Sequence, residues 1–186
     1  MPGLHAPAVD HPGAFPEARV GAPCQHRLVD YRDLALRNRT YALFVDLGVA
    51  PTVEQTATSM GWTVGEVAEG WRRLHDGHAL VVQEGIEAQA ERPRAALPMI
   101  RMANPFSAVP TVHRVRARGR WWFGNCAWDA FGILAALDVD GRIETSCPDC
   151  GDPISIQVAA GLPDDTGLSF HCLIPASNWW DDITFT

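Results

Sequence analysis

A cysteine and an aspartate three residues apart are the residues best suited to chemistry in this sequence. They lie in the stretch Asn125-Cys126-Ala127-Trp128-Asp129. Asparagine is a favoured N-cap residue, so we expect a helix that Asn125 caps, with Cys126 at its first position and Asp129 at its fourth. Residues three apart lie on one face of a helix. The spacing therefore predicts a thiol and a carboxyl side by side at a helix N-terminus.

This placement has opposing effects on the Cys126 thiol. The helix dipole and the free N–H groups favour the thiolate, so its pKa is expected to fall from the usual value of about 8.5. A carboxylate beside it acts in the opposite direction, because like charges repel, and the two groups would titrate as a unit. A thiolate that attacks and a carboxylic acid that donates a proton form a plausible catalytic unit. The alternative is a buried structural cysteine near a capping aspartate.

A second chemical motif is the C-x-x-C-G stretch that begins at Cys147. Such a knuckle between two strands presents two thiolates to one metal, and a closed zinc site needs four ligands. With Cys147 and Cys150 as the first two, Cys172 and either His171 or His113 are the candidates for the others. A structural zinc site and a bare turn both remain open. A redox pair is less favoured, because no βαβ pattern precedes the motif.

The front half of the chain has a helical pattern that would support these motifs. A helix is predicted from Asp30 to Gly48, and capping-box spacings at Thr52 and Thr63 start two more helices. A short apolar run at 79–82 is typical of a strand. Helix, short helix, turn, helix and strand is the pattern of a winged helix-turn-helix module.

DNA binding through the helix 63–75 would use Arg72 and Arg73. Acidic residues on the same helix roughly cancel these charges, and the whole chain carries a formal net charge of −7. Phosphate binding needs a positive surface, so a scaffold role is favoured over nucleic-acid binding.

The back half predicts strands around one helix that starts near Asn125. The strands are expected at 97–102, 113–123 (a hairpin turning at Gly119), 142–146, 154–159 and 168–174. The predicted fold is α+β, with a winged helix-turn-helix-like helical module packed on a small mixed or antiparallel sheet domain with one central helix. The predicted divisions are a disordered leader at 1–27, the helical module at 28–95 and the sheet domain at 96–186.

Composition narrows the class of protein further. The chain has 186 residues with a hydrophobic fraction of 47%, enough to bury a core. No apolar stretch reaches 18 residues, and the N-terminus lacks the pattern of a secretion signal, so a cytoplasmic protein without a membrane span is expected. Its cysteine count of five is odd, and clustered cysteines in a reducing compartment more often serve metal or nucleophile chemistry than disulfides.

Over residues 30–186 the sequence resembles the alkylmercury (organomercurial) lyase family. Besides the helical front half, the resemblance is carried by the segments Ile100–Ser107, Asn125–Asp129, Cys147–Gly151 and Pro175–Asp182. It implies cleavage of a carbon–mercury bond in a small organomercurial, without an organic cofactor. Cellular thiols or a mercuric reductase would accept the Hg(II) product. The alternative function is a catalytically degenerate metal-binding or metal-sensing winged-helix protein.

The resemblance also implies roles for individual residues. Cys126 matches the first mercury-binding thiol and Asp129 matches the proton carrier. Thiolates are the natural ligands of a soft cation such as Hg(II). The family carries its second thiol near the C-terminus, after the tryptophan–aspartate segment, where this sequence ends. Cys172 is the candidate to replace it, and Cys147 with Cys150 is a further possible mercury-binding pair.

Overall fold

The computed structural model describes residues 30–85, 97–164, 167–170, 172 and 174–183. The predicted leader at 1–27 and most of the polar segment that follows the first strand lie outside the described residues. None of the helices in the described part of the chain combines the length and the apolar character that a membrane span requires.

Three helices form the front half, and their ends follow the capping signals of the sequence. They are α1 (Tyr31–Leu47), α2 (Val53–Met60) and α3 (Val64–Asp76). The Asp30 side chain accepts a hydrogen bond from the Arg32 N–H at the start of α1. Thr52 and Thr63 both form complete capping boxes, with Gln55 and Glu66 as their partners. The three predicted helices are therefore confirmed.

The helices pack through a small set of large apolar side chains. The fully or almost fully buried members are Leu36, Phe44, Val67, Trp71 and Leu74. The Trp71 Nε1–H donates to the Thr40 hydroxyl at 3.0 Å, and that hydroxyl donates to the Leu36 carbonyl at 2.8 Å. The buried polar groups thus satisfy each other, which removes the cost of desolvating them unpaired.

One eight-stranded antiparallel sheet connects the front and back halves. Its strands are β1 (Val81–Glu84), β2 (Pro98–Ala103), β3 (Phe106–Ser107), β4 (Arg114–Ala117), β5 (Arg120–Gly124), β6 (Gly141–Ser146), β7 (Pro153–Ala159) and β8 (Leu162–Pro163). They are ordered β1-β2-β3-β5-β4-β6-β7-β8, and every pair is antiparallel. The hairpin β4–β5 turns at Gly119, which has the positive φ of 73° that a tight turn requires. The α+β class is confirmed.

Helix α4 (Ala127–Leu137) covers the middle of the sheet. It buries Ala130, Ile133 and Leu134, while Val115 and Ile143 are buried on the neighbouring strands β4 and β6. These residues belong to the same hydrophobic cluster as the cores of α1 and α3. The first turn of α4 is therefore held in a fixed position at the end of β5.

The strand predicted at 168–174 is wrong for the residues that the structure describes there. Residues 167–170, 172 and 174 have no strand pairing, and a 3-10 helix, Ala176–Asp181, follows them. Leu168 and Phe170 remain about half exposed, at 51% and 52%. Alternating apolar residues favour a strand only where a partner edge is available, and no sheet edge pairs with this segment in the described structure.

Candidate active site

The chain passes from β5 into α4 at the predicted site, one residue later than expected. Cys126 is the N-cap, with an extended backbone (φ −142°, ψ 179°), and Asp129 is the third helical residue. The prediction that Asn125 caps the helix is wrong. Its side-chain amide is directed elsewhere, donating to Asp129 Oδ2 at 3.0 Å and to Asn104 Oδ1 at 3.0 Å.

The corrected register still places the two reactive groups together. An N-cap side chain and the third helical side chain are the two members of a capping box. In α4 these members are the Cys126 thiol and the Asp129 carboxyl. The helix has no side-chain cap hydrogen bond of the usual kind. The thiol and the carboxyl therefore occupy the two capping-box positions at the helix start.

Burial dominates the electrostatics of the pair. It raises the pKa of the Cys126 thiol, the N–H groups of Asp129 and Trp128 partly offset this, and the Asp129 charge adds to it. Burial also raises the pKa of Asp129, against the lowering effect of the Asn125 amide. The expectation that the helix start lowers the thiol pKa is wrong, because loss of solvent outweighs the hydrogen bonds from the N–H groups of the first turn. Both groups are biased towards their protonated forms.

A hydrogen-bonded network behind Asp129 fixes its position. Asn125 contributes its amide nitrogen, and its Oδ1 is buried without a hydrogen-bond partner among the described residues. Asn104, at the turn between β2 and β3, receives the other Asn125 hydrogen bond, and its carbonyl accepts from the Tyr41 hydroxyl at 2.9 Å. The Asp129 charge contributes to raising the pKa of Tyr41, after burial. Sequence reasoning assigned no role to Asn104 or Tyr41, since only the fold brings them here.

Gly124 allows the strand to approach the helix closely. A Cβ added at this residue would lie 2.8 Å from the backbone nitrogen of Ala130 and 3.1 Å from the carbonyl oxygen of Cys126. Any larger residue would force the start of α4 away from the sheet. The position of the thiol therefore depends on the absence of a side chain two residues earlier.

The segment that carries Cys172 lies against the first turn of α4. The rings of Phe170 and Trp128 are 6.0 Å apart between centroids, and Trp128 is 60% exposed. The exposed Cys172 donates its S–H to the Ile174 carbonyl at 3.1 Å. The second predicted thiol is thus on a segment that packs beside the Cys126 helix start.

The C-x-x-C-G knuckle joins β6 to β7, as predicted. The Cys147 N–H donates to the Asp152 carbonyl, and the Gly151 N–H donates to the Cys147 carbonyl, both at 2.9 Å. The N–H groups of Cys150 and Asp149, and a hydrogen bond between the two thiols, lower the pKa of Cys147. Both sulfurs lie on the turn between β6 and β7, with Cys150 exposed and Cys147 half-buried.

The four-ligand zinc site, one of the two alternatives for this knuckle, does not form in the described residues. No group of three or more His, Cys, Asp or Glu side chains comes together in them. His113 is half-buried, and its Nδ1 instead makes a hydrogen bond of 2.9 Å with the Thr145 hydroxyl. His171, the other candidate, lies outside the described residues. The knuckle alone supplies only two sulfur ligands, fewer than zinc requires.

The arginines of α3 are already paired. Arg72 forms an ion pair with Glu84 at 2.8 Å, and Arg73 forms one with Asp33 at 2.6 Å. Both arginine–carboxylate contacts use two guanidinium nitrogens. Their charges stabilise contacts within the protein and offer little to a phosphate backbone.

A shallow apolar cavity of about 350 Å³ lies between α1 and α4. Its lining residues are Tyr41, Ala42, Val45, Asp46, Phe106, Ala136 and Leu137. Neither Cys126 nor Asp129 lines it, so this cavity is separate from the reactive pair. The thiol is instead half-buried at the helix start.

Comparison with known proteins shows which family the second half of the chain resembles. Residues 106–186, which include β3 to β8, α4 and all four cysteines described above, match the family model of alkylmercury lyase. The predicted resemblance to the alkylmercury lyase family is confirmed. The matched region contains both Cys126 and Asp129, whereas the three front helices lie outside it.

A solved structure has a fold similar to that of this chain. The crystal structure of the mercury-bound form of MerB2 superposes with a TM-score of 0.54 at 22% sequence identity. The alignment covers 72% of this chain and 58% of the MerB2 chain. The likeness therefore concerns the fold, over little more than half of MerB2. No curated protein matches the sequence.

Proposed function

We propose that this protein is an organomercurial lyase, which cleaves a carbon–mercury bond by protonolysis. The observation that carries the proposal is the Cys126–Asp129 pair in the first turn of α4, within the residues that match the family model. The cavity between α1 and α4 has no reactive group of this kind. The substrate is a small organomercurial, R–Hg⁺, which approaches the half-buried sulfur beside the exposed Trp128 ring.

In the first step, mercury replaces the proton on Cys126. A bond forms between sulfur and mercury, and the S–H proton passes to the neighbouring Asp129 carboxylate. A thiol with a raised pKa still carries this proton at neutral pH, and a carboxylate with a raised pKa accepts it readily. The products of this step are R–Hg–S and a neutral Asp129.

In the second step, another thiol loses its proton to solvent and binds mercury as a thiolate, and the carbon leaves with the proton that Asp129 carries. A second sulfur donates electrons to mercury, which makes the bonded carbon more basic. Asp129 then transfers its proton to that carbon, the carbon–mercury bond breaks, and the hydrocarbon R–H departs. Mercury stays as Hg(II) between two sulfurs, and Asp129 returns to its carboxylate form. Atoms and charge balance without a redox step or an organic cofactor.

Cys172 is the proposed second thiol. Its support is the contact between Phe170 and Trp128, which brings the segment of Cys172 to the first turn of α4. Cys172 is exposed, so a cellular thiol can also reach mercury from the same side. Cellular thiols, or a mercuric reductase, would then accept the Hg(II) product.

The network of Asn125, Asn104 and Tyr41 would keep the proton carrier in place. Asn125 donates to Asp129 Oδ2 and thereby directs the other carboxyl oxygen away from the amide. Tyr41 comes from α1, so the helical front half would contribute to the geometry of the site. The paired arginines of α3 support a scaffold role for this winged helix-turn-helix-like half over nucleic-acid binding. The divisions at 28–95 and 96–186 and a cytoplasmic location belong to the same proposal.

The alternative is a degenerate family member that binds metal without cleaving the substrate. Its support is the pair of surface cysteines Cys147 and Cys150, whose thiolates would bind a soft metal. It gives the half-buried Cys126–Asp129 pair no role, and for this reason we favour the lyase. Tight Hg(II) binding together with no hydrocarbon release would reverse that preference.

The direct test is hydrocarbon release from a defined substrate. The full chain is incubated with phenylmercuric acetate and excess thiol, and benzene is measured by gas chromatography. We expect catalytic benzene release, and a fall of at least about 100-fold in Cys126→Ser, because a hydroxyl is a poor ligand for a soft metal. Cys24→Ser is the matched control and should keep the native rate. An unchanged rate in Cys126→Ser would rule out the proposal.

A further inference from the structure

The last described part of the chain, residues 174–183, lies outside the eight-stranded sheet. It contains the 3-10 helix Ala176–Asp181 and pairs with no strand of the described structure. A segment without ladder hydrogen bonds opens at a lower free energy than a paired strand, so individual side-chain contacts strongly affect where it lies. These contacts matter for the site because the segment follows Cys172, the proposed second thiol.

One of these contacts joins the segment to the helical front half. The rings of Trp180 and His78 are stacked, with their centroids 4.1 Å apart and their planes within 7° of parallel. His78 lies in the turn between α3 and β1, where its backbone has a positive φ of 60°. Trp180 is half-buried, whereas His78 is exposed. The turn after α3 thus provides a flat ring against which the 3-10 helix packs.

The same short helix is also connected to the Cys172 thiol. Trp179, the neighbour of Trp180, donates its Nε1–H to the Ile174 carbonyl at 2.9 Å. The Cys172 S–H donates to the same carbonyl at 3.1 Å. A carbonyl oxygen has two lone pairs and can accept both hydrogen bonds. The stack on His78, the 3-10 helix and the Cys172 thiol are therefore linked by one continuous set of contacts.

We propose that His78 is a positioning residue for Cys172, and that it acts through its stack on Trp180. The inference rests on the proposed function, in which Cys172 supplies the second sulfur to mercury. While the stack is formed, the 3-10 helix keeps the Ile174 carbonyl beside the thiol. Without the stack, the segment leaves this position more often, and an external thiol must supply the second sulfur. His78 lies outside residues 106–186, so the front half would position the second thiol from beyond the region that matches the family model.

Four variants separate the stack from other effects of substitution. His78→Asn removes the ring and keeps the backbone, because asparagine tolerates the left-handed region. Trp180→Leu removes the other ring of the stack. His78→Phe restores a flat ring at the same position and should rescue the native behaviour. Asp76→Asn is the control, at an exposed residue at the end of the same helix α3. Circular dichroism of each variant checks that the fold is intact.

The first readout is the alkylation rate of Cys172 by iodoacetamide, which needs no mercury. It is measured with Cys172 as the only cysteine, after serine replaces Cys24, Cys126, Cys147 and Cys150. We expect His78→Asn and Trp180→Leu each to raise the rate about threefold to tenfold, the range of one aromatic pair, because the reactive thiolate cannot donate to the Ile174 carbonyl. The double variant should match the single ones, since both remove one contact. An unchanged rate in His78→Asn, or additive effects, would overturn the proposal.

The second readout is benzene release from phenylmercuric acetate in chains that keep all their cysteines. At limiting external thiol, His78→Asn should release benzene about threefold to tenfold more slowly than the native chain, and excess thiol should restore the rate. His78→Phe and Asp76→Asn should match the native chain at both thiol concentrations. A loss that excess thiol does not relieve would contradict a role in positioning the second sulfur. The two proposals fail separately: a native chain that releases no benzene refutes the lyase, whereas the alkylation rates decide the role of His78 without any substrate.

Discussion

Replacing Asp129 with asparagine should separate carbon–mercury cleavage from mercury binding. Asparagine has the same shape, and its side-chain oxygen can still accept the hydrogen bond that Asn125 donates at 3.0 Å. It cannot carry a proton from sulfur to carbon. General acid catalysis typically contributes 10²–10⁴-fold in rate, about 3–5 kcal/mol in the activation barrier. We therefore expect kcat for benzene release to fall by about 10²–10⁴-fold.

The structure also predicts what this substitution leaves unchanged. Burial raises the pKa of Asp129, which shows that its surroundings disfavour the charged form. A neutral amide should thus be accommodated without loss of stability, and the thermal midpoint at pH 8 should be equal to or above that of the native protein. Stoichiometric Hg(II) binding by Cys126 should persist, because asparagine leaves the sulfur in place.

The assay is single-turnover benzene release, followed beside a matched control. Asp138→Asn removes the same charge from the C-cap of the same helix, at an exposed position in the left-handed region that asparagine tolerates. It should keep the native rate. Benzene release by Asp129→Asn within about threefold of native would refute the role of Asp129 as proton carrier. Loss of Hg(II) binding would show instead that the substitution disturbs the helix start.

Three further outcomes follow from the packing and the electrostatics. Gly124→Ala should destabilise the protein by about 1–3 kcal/mol in urea unfolding, because its Cβ would lie 2.8 Å from a backbone nitrogen of α4. The control is Gly65→Ala in helix α3, whose Cβ would meet nothing within 4 Å, and it should be neutral or stabilising. Equal effects of the two substitutions on stability would contradict the argument. Trp71→Phe should lower the free energy of unfolding by about 1–3 kcal/mol in the same assay, since it removes the buried hydrogen bond to Thr40 and part of the ring volume. A decrease below about 0.5 kcal/mol would contradict the structural role of the buried Trp71 side chain. The alkylation rate of Cys126, measured in a variant with serine at the other cysteines, should rise with pH. The midpoint of this rise should lie above that of an unperturbed thiol, because burial raises the pKa of Cys126. A lower midpoint would show that the helix dipole prevails.

Local signals in the sequence were sufficient to predict most of the helices and strands. Capping boxes at Thr52 and Thr63, the glycine after α1 and the turn at Gly119 all act over a few residues, so their positions can be predicted without knowing the fold. The strand predicted at 168–174 failed because a strand needs a partner. Which segment finds an edge depends on distant residues that no local pattern contains.

The reactive pair shows the same division between local and distant causes. The spacing of Cys126 and Asp129 determined that they would be neighbours in either helix register. Their pKa directions depend on burial, which the packing of the whole domain produces, and the dipole argument from sequence gave the wrong direction for the thiol. Asn104 is distant in sequence from the helix start, and only the pairing of β2, β3 and β5 brings it to Asn125.

The chain's own order of residues thus determined its helices, most of its strands, the chemical types at the helix start and the two sulfurs of the knuckle. Tertiary structure decided the protonation preference of the pair, the support from α1, the absence of a zinc cluster in the described residues and the separation of Cys126 from the Cys147–Cys150 knuckle by one strand. The physical reason is the difference in range, along the sequence, of the interactions involved. Hydrogen bonds within a turn or cap act over a few residues, whereas desolvation and side-chain coordination depend on every segment that packs around a group.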